Sequence, residues 1–203
     1  MIKTFLTMIN QRNGCLEIRD KIFQNEHIPS DFIDDSYLIN ISFKNITFEG
    51  LEWANTIFSN CQFDNCRFLP ELSNLDSTVS TDKTEWTRLE FYDCNFINSE
   101  FQALEWVKVD SIRTIFKNCT FKDIEFINTM LSKTKMLNTN WEDIYFSSVS
   151  INFSAFEQTK FMNVKFNLES RTIIIDSRPG KEETRIDVHD SKEFQQALKI
   201  FET

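Results

Sequence analysis

Glycine and proline are nearly absent, three of each among 203 residues. Collagen-like, low-complexity and glycine-loop nucleotide-binding readings therefore have little to stand on. No apolar run approaches the roughly 18 residues that a membrane-spanning helix needs. The opening, Met1 to Gly14, has Lys3 and a short apolar stretch but no sustained hydrophobic region and no small-residue cleavage site, so a soluble, cytoplasmic protein is expected. Histidine is limited to His27 and His189, remote from each other, and the five cysteines (15, 61, 66, 94 and 119) are an odd number. Free buried thiols in a reducing compartment are expected, with no disulfide framework, no metal and no cofactor. There is no P-loop, no dinucleotide turn and no H-E-x-x-H sequence, so no enzyme is expected. The acidic excess, 31 against 22 basic residues, gives a net charge of -9 and disfavours direct binding to nucleic acid or to an anionic membrane.

Phenylalanine is in surplus, with 21 residues, and its placement is periodic. Large apolar residues recur every five positions: Leu38, Phe43, Phe48, Trp53, Phe58, Phe63 and Phe68. The frame breaks, then resumes at Trp86 and continues in fives through Phe91, Phe96, Phe101, Trp106, Ser111, Phe116, Phe121 and onward to Phe166. All four tryptophans fall on these centres. Two residues before each centre stands an uncharged residue that is small, β-branched or Leu, from Ser36 and Ile41 through Cys61, Cys66, Cys94 and Cys119 to Val164.

A period of five fits neither regular element. On an α-helix successive centres would rotate by 140° and smear round the cylinder. On a flat strand an odd spacing would send them to alternate faces. A corner after every five residues removes both conflicts, because each turn resets the inward direction. Four corners close a square coil of twenty residues, and coils stacked about 4.8 Å apart make a solenoid. The expected fold is therefore an all-β solenoid of about six coils over residues 36–168, with an N-terminal cap at 1–35 and a C-terminal appendage at 169–203.

The segments ISFKN-ITFEG, TIFSN-CQFDN-CRF, CNFIN-SEFQA and CTFKD-IEFIN resemble the pentapeptide-repeat family, in which a small residue stands two positions before a central Leu or Phe. The likeness covers about Ser36 to Leu168 and implies that family's right-handed quadrilateral β-helix. The aromatic residue at nearly every centre departs from the commoner Ala-Asp-Leu pattern and implies a fully packed bore.

Between Leu69 and Glu85 the periodicity is lost in a Ser/Thr-rich stretch with Pro70 and the acids Glu71, Asp76, Asp82 and Glu85, which reads as a loop thrown out from the rod, either a tolerated insertion or a recognition loop. Ser111 stands where a large side chain is expected; a void, a water or an inward shift of Ile112 would compensate. After the rod, Arg171–Asp176 and Thr184–His189 read as strands around Ser177-Arg178-Pro179-Gly180. Asp190 and Glu193 form a capping box ahead of a helix with Phe194, Ala197, Leu198 and Phe201 on one apolar face. That face caps the last coil or makes a homodimer contact.

Catalysis needs polar groups converging in a concavity, and a filled rod offers none, so binding to another protein is the expected activity, in a scaffold, immunity or effector role. The family resemblance implies an alternative. Related proteins that confer quinolone resistance are thought to imitate DNA and occupy the DNA-binding saddle of a type II topoisomerase (DNA gyrase), and they dimerise through the C-terminal end. The most acidic side of the rod carries Glu100, Asp123, Glu142 and Asp143 against Lys122 and Lys160, a weak stripe for that purpose. Another side presents Ile97, Ile115 and Leu137 beside Asn98, Asn118 and Asn138, one asparagine per coil, which reads as a corner ladder or an apolar docking strip.

Overall fold

A computed structural model describes residues 4–10, 15–71, 83–152, 154–176 and 183–199. The chain coils into a β-solenoid of about seven turns with two short helices. Short strands pair in parallel with an offset of twenty residues, as in Phe101↔Phe121 and Phe121↔Trp141. Each coil has four walls, named here after Phe91, Phe96, Phe101 and Trp106 of one coil.

The centres point inward as the period requires. Along the Phe96 wall, Phe23, Phe43, Phe63, Phe96 and Phe116 stack at centroid distances of 5.6, 4.9, 4.4 and 4.8 Å. Along the Phe101 wall, Phe48, Phe68, Phe101, Phe121 and Trp141 stack at 4.9, 4.8, 4.7 and 4.8 Å. These spacings match the rise of about 4.8 Å per coil set by the backbone ladder.

The position two residues before a centre has a second duty. Its hydroxyl or thiol donates to the carbonyl of a centre in the preceding coil: Thr114 Oγ1 to Phe91 (3.2 Å), Thr129 to Trp106 (3.1 Å), Thr134 to Ser111 (2.9 Å) and Ser154 to Leu131 (3.1 Å). Cys61 and Cys119 do the same to Leu38 and Phe96. A small donor therefore fits the crowded interior and satisfies a backbone acceptor there.

Most corners are made by the residue two after the centre, which adopts a left-handed conformation with φ between 46° and 61°; Ser30, Pro70 and Leu168, at the ends and at the interruption, are exceptions. Asparagine tolerates this region best among residues with a Cβ, and it occupies many corners. Its amide also bonds up the rod. Asn118 Nδ2 donates to Asn98 and Asn138 Nδ2 to Asn118, both at 3.0 Å, so these three form a corner ladder. Gly50 takes a corner at φ +61, where an added Cβ would lie 2.8 Å from Glu71 Cβ. We expect Asn118→Ile to lower stability by about 2–4 kcal/mol, from a β-branched residue in the left-handed region and the loss of two hydrogen bonds, as read by chemical denaturation.

The solenoid starts earlier than the period suggests. Strand Glu17–Gln24 pairs in parallel with Tyr37–Lys44, and His27–Ile28 and Asp31–Ile33 pair with the next coil. Residues 16–35 thus form a further coil on centres Ile18, Phe23, Ile28 and Ile33, all buried, which raises the count from six to about seven. Lys21, Glu26 and Asp31 stand two before three of those centres and break the sequence rule. An end coil tolerates them: the Glu26 carboxylate accepts the first N–H groups of the helix Phe5–Asn10, from Phe5 at 3.2 Å and Leu6 at 3.3 Å. That helix covers the N-terminal opening, with Phe5 against Phe23 and Phe43 at 5.1 Å each.

At the other end, strand Thr172–Asp176 pairs in parallel with Ser150–Asn152 and antiparallel with Thr184–Val188. The turn at Ser177–Gly180 lies outside the described residues. Helix Ser191–Leu198 is capped by Asp190, whose carboxylate accepts from Glu193 N at 2.8 Å, while Glu193 accepts from the backbone N–H of His189 at 2.9 Å.

Ser111 is accommodated by its neighbour. Ile112 stays outward, and the Trp106 ring instead approaches Phe91 at 6.0 Å and reaches Phe116 across the bore at 6.4 Å. The Ser111 hydroxyl lies 3.3 Å from that of Thr134. Among the described residues the Trp106 indole N–H is the buried side-chain donor without a partner.

Candidate protein-binding surface

The rod is interrupted once, between strands Arg67–Leu69 and Thr84–Thr87. Trp86 pairs with Trp53, an offset of 33 in place of 20, so the excursion adds thirteen residues without disturbing the stack. The expected loop is narrower than 69–85, because Leu69 and Glu85 belong to wall strands. Of the loop acids, Asp76 and Asp82 lie outside the described residues. Glu71 is exposed at the loop's departure, with Ser30 Oγ donating to it at 3.4 Å.

Glu85 belongs to a carboxylate column on the outside of the Trp106 wall. The pairings Glu85↔Glu105 and Glu105↔Glu125 place three carboxylates one coil apart, and Trp86↔Trp53 puts Glu85 in line with Glu52. Spacing alone did not single out this column, although Glu85, Glu105 and Glu125 stand twenty residues apart; only Glu52 is displaced from that count, by the thirteen-residue excursion. A signal was present: a Glu immediately precedes the centre at Glu52-Trp53, Glu85-Trp86, Glu105-Trp106 and Glu125-Phe126.

The carboxylates expected to form the acidic side are largely neutralised. Glu100 pairs with Arg67 at 2.9 Å, Asp123 with Lys83 at 2.8 Å and Glu142 with Lys122 at 3.7 Å. Asp143, at a corner, accepts from Asn163 Nδ2 at 3.1 Å. The structure brings Asp123 and Asp143 together with Glu125 and Lys83 around a recess of about 280 Å³, and leaves Glu100 outside it.

Lys83 anchors the returning end of the excursion. Its ammonium lies 2.8 Å from Asp123 and 2.9 Å from Glu125, with the side chain 20% exposed. Burial, the largest single cause, pulls its pKa down, but the hydrogen bonds to Asp123 and Glu125 and their negative charges together outweigh it, and the net shift is upward. Glu105 has its pKa raised by burial first and then by Glu125 and Glu85, with Lys83 giving partial relief. A carboxyl whose folded pKa exceeds its unfolded value costs stability once pH rises through that interval. Glu105→Gln is accordingly expected to raise the melting temperature at neutral pH, with the gain fading in acid as the wild-type carboxyl protonates. An equal gain at both pH values would show that the effect is not electrostatic.

Four of the five free thiols are buried as expected, but Cys15 is exposed, because it precedes the first inner position of the solenoid. Burial pushes Cys66 and Cys119 up to about 12, and Cys94 is also raised by burial. Cys61 is lowered, chiefly by a hydrogen bond from Cys94 in the next coil, yet is itself buried. Among the described residues no three His, Cys, Asp or Glu side chains are grouped as metal ligands, and no helix is long and apolar enough to cross a membrane.

A five-residue inner period, left-handed corners and a twenty-residue register together define a four-walled β-solenoid, a fold consistent with the pentapeptide-repeat family. Solved structures with similarity to it include a pentapeptide-repeat protein, Rfr23, from the cyanobacterium Cyanothece 51142, at 12% identity over 61% of this chain and 89% of that one, with a TM-score of 0.35. QnrB1, a plasmid-mediated fluoroquinolone resistance protein, matches at 12% identity over 75% and 94%, with a TM-score of 0.32. HetL of Nostoc sp. strain PCC 7120, involved in heterocyst differentiation regulation, matches at 7% identity over 77% and 87%, with a TM-score of 0.25. The family model of the SV2A/B/C luminal domain matches residues 72–146, less than half of the chain. No curated protein matches in sequence.

Proposed function

We propose that this chain is a non-enzymatic, cytoplasmic protein-binding solenoid that engages a basic partner through the column Glu52, Glu85, Glu105 and Glu125 and the excursion beside it. The observation that carries this reading is the column itself: carboxylates are stacked in register, and at Glu105 burial, then Glu125 and Glu85, raise the cost of ionisation. A basic partner would relieve that cost. Lys83 holds the base of the excursion against the same wall. Partner capture by the full chain is the test. Deleting residues 72–82, and separately neutralising Glu85, Glu105 and Glu125 to Gln, should each abolish capture of the same protein while leaving the circular dichroism spectrum native. Unchanged capture by both variants would refute the reading.

The second reading is a DNA mimic acting on a type II topoisomerase. The regularity of the column favours it, but one carboxylate per coil of about 4.8 Å is sparser than one phosphate per about 1.7 Å of duplex axis. Gyrase supercoiling, with and without a quinolone, decides: a change that the triple neutralisation removes supports mimicry, and no effect at micromolar protein eliminates it.

A further inference from the structure

The outer surface of the Phe91 wall is distinct from the column on the Trp106 wall and combines two features. Strand pairing aligns Tyr37, Ile57, Glu90, Asp110 and Met130 in one row, and places Ile39, Tyr92 and Ile112 in the row beside it. Tyr37 is 46% exposed and the others are half-buried. The middle of this apolar strip is a pair of carboxylates, Glu90 opposite Asp110. No salt bridge involves either among the described residues; the nearby Arg113 is instead engaged by Asp93, with two bonds of 2.7 Å. The Tyr92 hydroxyl hydrogen-bonds Glu90, and the Asp110 carboxyl is raised by burial and by Glu90.

Two adjacent carboxylates set among isoleucines, tyrosine and methionine without a counter-ion are unfavourable in the free rod. From this charge pattern we infer that the Phe91 wall is a second docking surface, whose occupant is a partner-protein segment presenting an arginine or lysine between aliphatic side chains. The cation would sit between Glu90 and Asp110, and the flanking side chains would cover Ile57 and Tyr37 on one side and Ile112 and Met130 on the other. From Tyr37 to Met130 the strip spans four coil steps, about 19 Å, the length of a helix of roughly thirteen residues.

The test pans the full chain against a random peptide library displayed on phage. Recovered peptides should carry Arg or Lys flanked by aliphatic residues. The best of them, made synthetically, should bind Glu90→Gln/Asp110→Asn at least about tenfold more weakly. That isosteric variant should melt at the wild-type temperature or above, so that lost binding is not lost folding. Neutralising Glu85, Glu105 and Glu125 should leave this binding intact, which separates it from the function proposed above. The inference is overturned if no peptide is enriched, if the peptides lack a cation, or if binding survives the double substitution. It is equally overturned if sedimentation finds a wild-type dimer that the double variant dissociates, since the occupant would then be a second copy of this chain.

Discussion

Phe121→Asp is expected to abolish the folded rod. Phe121 is fully buried and is held between Phe101 at 4.7 Å and Trp141 at 4.8 Å, with Phe116 at 5.3 Å. Removing the ring alone costs about 3–5 kcal/mol, as for other large-to-small core changes. An aspartate there has no cation or donor facing it, so ionisation adds several kcal/mol more, or the group protonates and remains a poorly paired polar residue. Typical total stability is about 5–15 kcal/mol, so little or nothing is left. Because each coil is stabilised by its neighbours, a failure at this central coil severs the stack. Circular dichroism should lose its β signal and melting should lose cooperativity. Lys122→Asp, one residue away on the outer surface, is the control and should remain native. A native spectrum for Phe121→Asp would mean that these rings do not line a common interior.

Much of the architecture was legible because the centre and the residue two before it are under one simple demand, burial. Period five survived even where Leu131 or Met136 replaced an aromatic, since both are fully buried. The first coil was illegible for a physical reason: at the end of the rod its positions two before a centre escape the burial rule, with Lys21 exposed, Asp31 half-buried and Glu26 accepting the first N–H groups of the covering helix. Ser111 pointed correctly to an anomaly, but its remedy, the diagonal reach of Trp106, depends on three dimensions that spacing alone does not encode. Choice at the inner small positions looked like a matter of size and strand preference, whereas the hydroxyl and thiol donors also serve carbonyls 23 residues earlier.

The candidate surface was harder to read, because outward residues obey no burial rule and their neighbours are set by register. Counting in twenties grouped Glu100, Asp123, Glu142 and Asp143 on one side, but salt-bridge partners depend on where long side chains reach. Arg67 is 33 residues from Glu100, off that count, and Lys83, although forty residues from Asp123, stands in the segment that reads as an aperiodic loop. Glu90 and Asp110, and likewise Glu85, Glu105 and Glu125, do stand twenty residues apart, but which of them meets a cation is set by side-chain reach; only Glu52 joins its column once the excursion's thirteen residues are removed from the numbering.

Phe194→Ala should convert a stable end into a sticky one. Phe194 is fully buried, with its ring 5.4 Å from Phe146, 5.2 Å from Phe161 and 5.6 Å from Phe166. Ala197 and Leu198 are buried on the same face, while Phe201 lies outside the described residues. The rings of the last coil are only partly covered, in contrast to those in mid-rod, so the helix is what separates them from solvent. Truncating the ring should cost about 3–5 kcal/mol locally. Its larger effect is on the exposed end, where uncovered rings and unpaired strand edges present a template for another molecule. Sedimentation should then show concentration-dependent association beyond the wild-type state, with a melting temperature several degrees lower. If the same face served instead as a homodimer contact, the wild-type chain would sediment as a dimer and Phe194→Ala as a monomer. The direction of the mass change thus separates a cap from an interface.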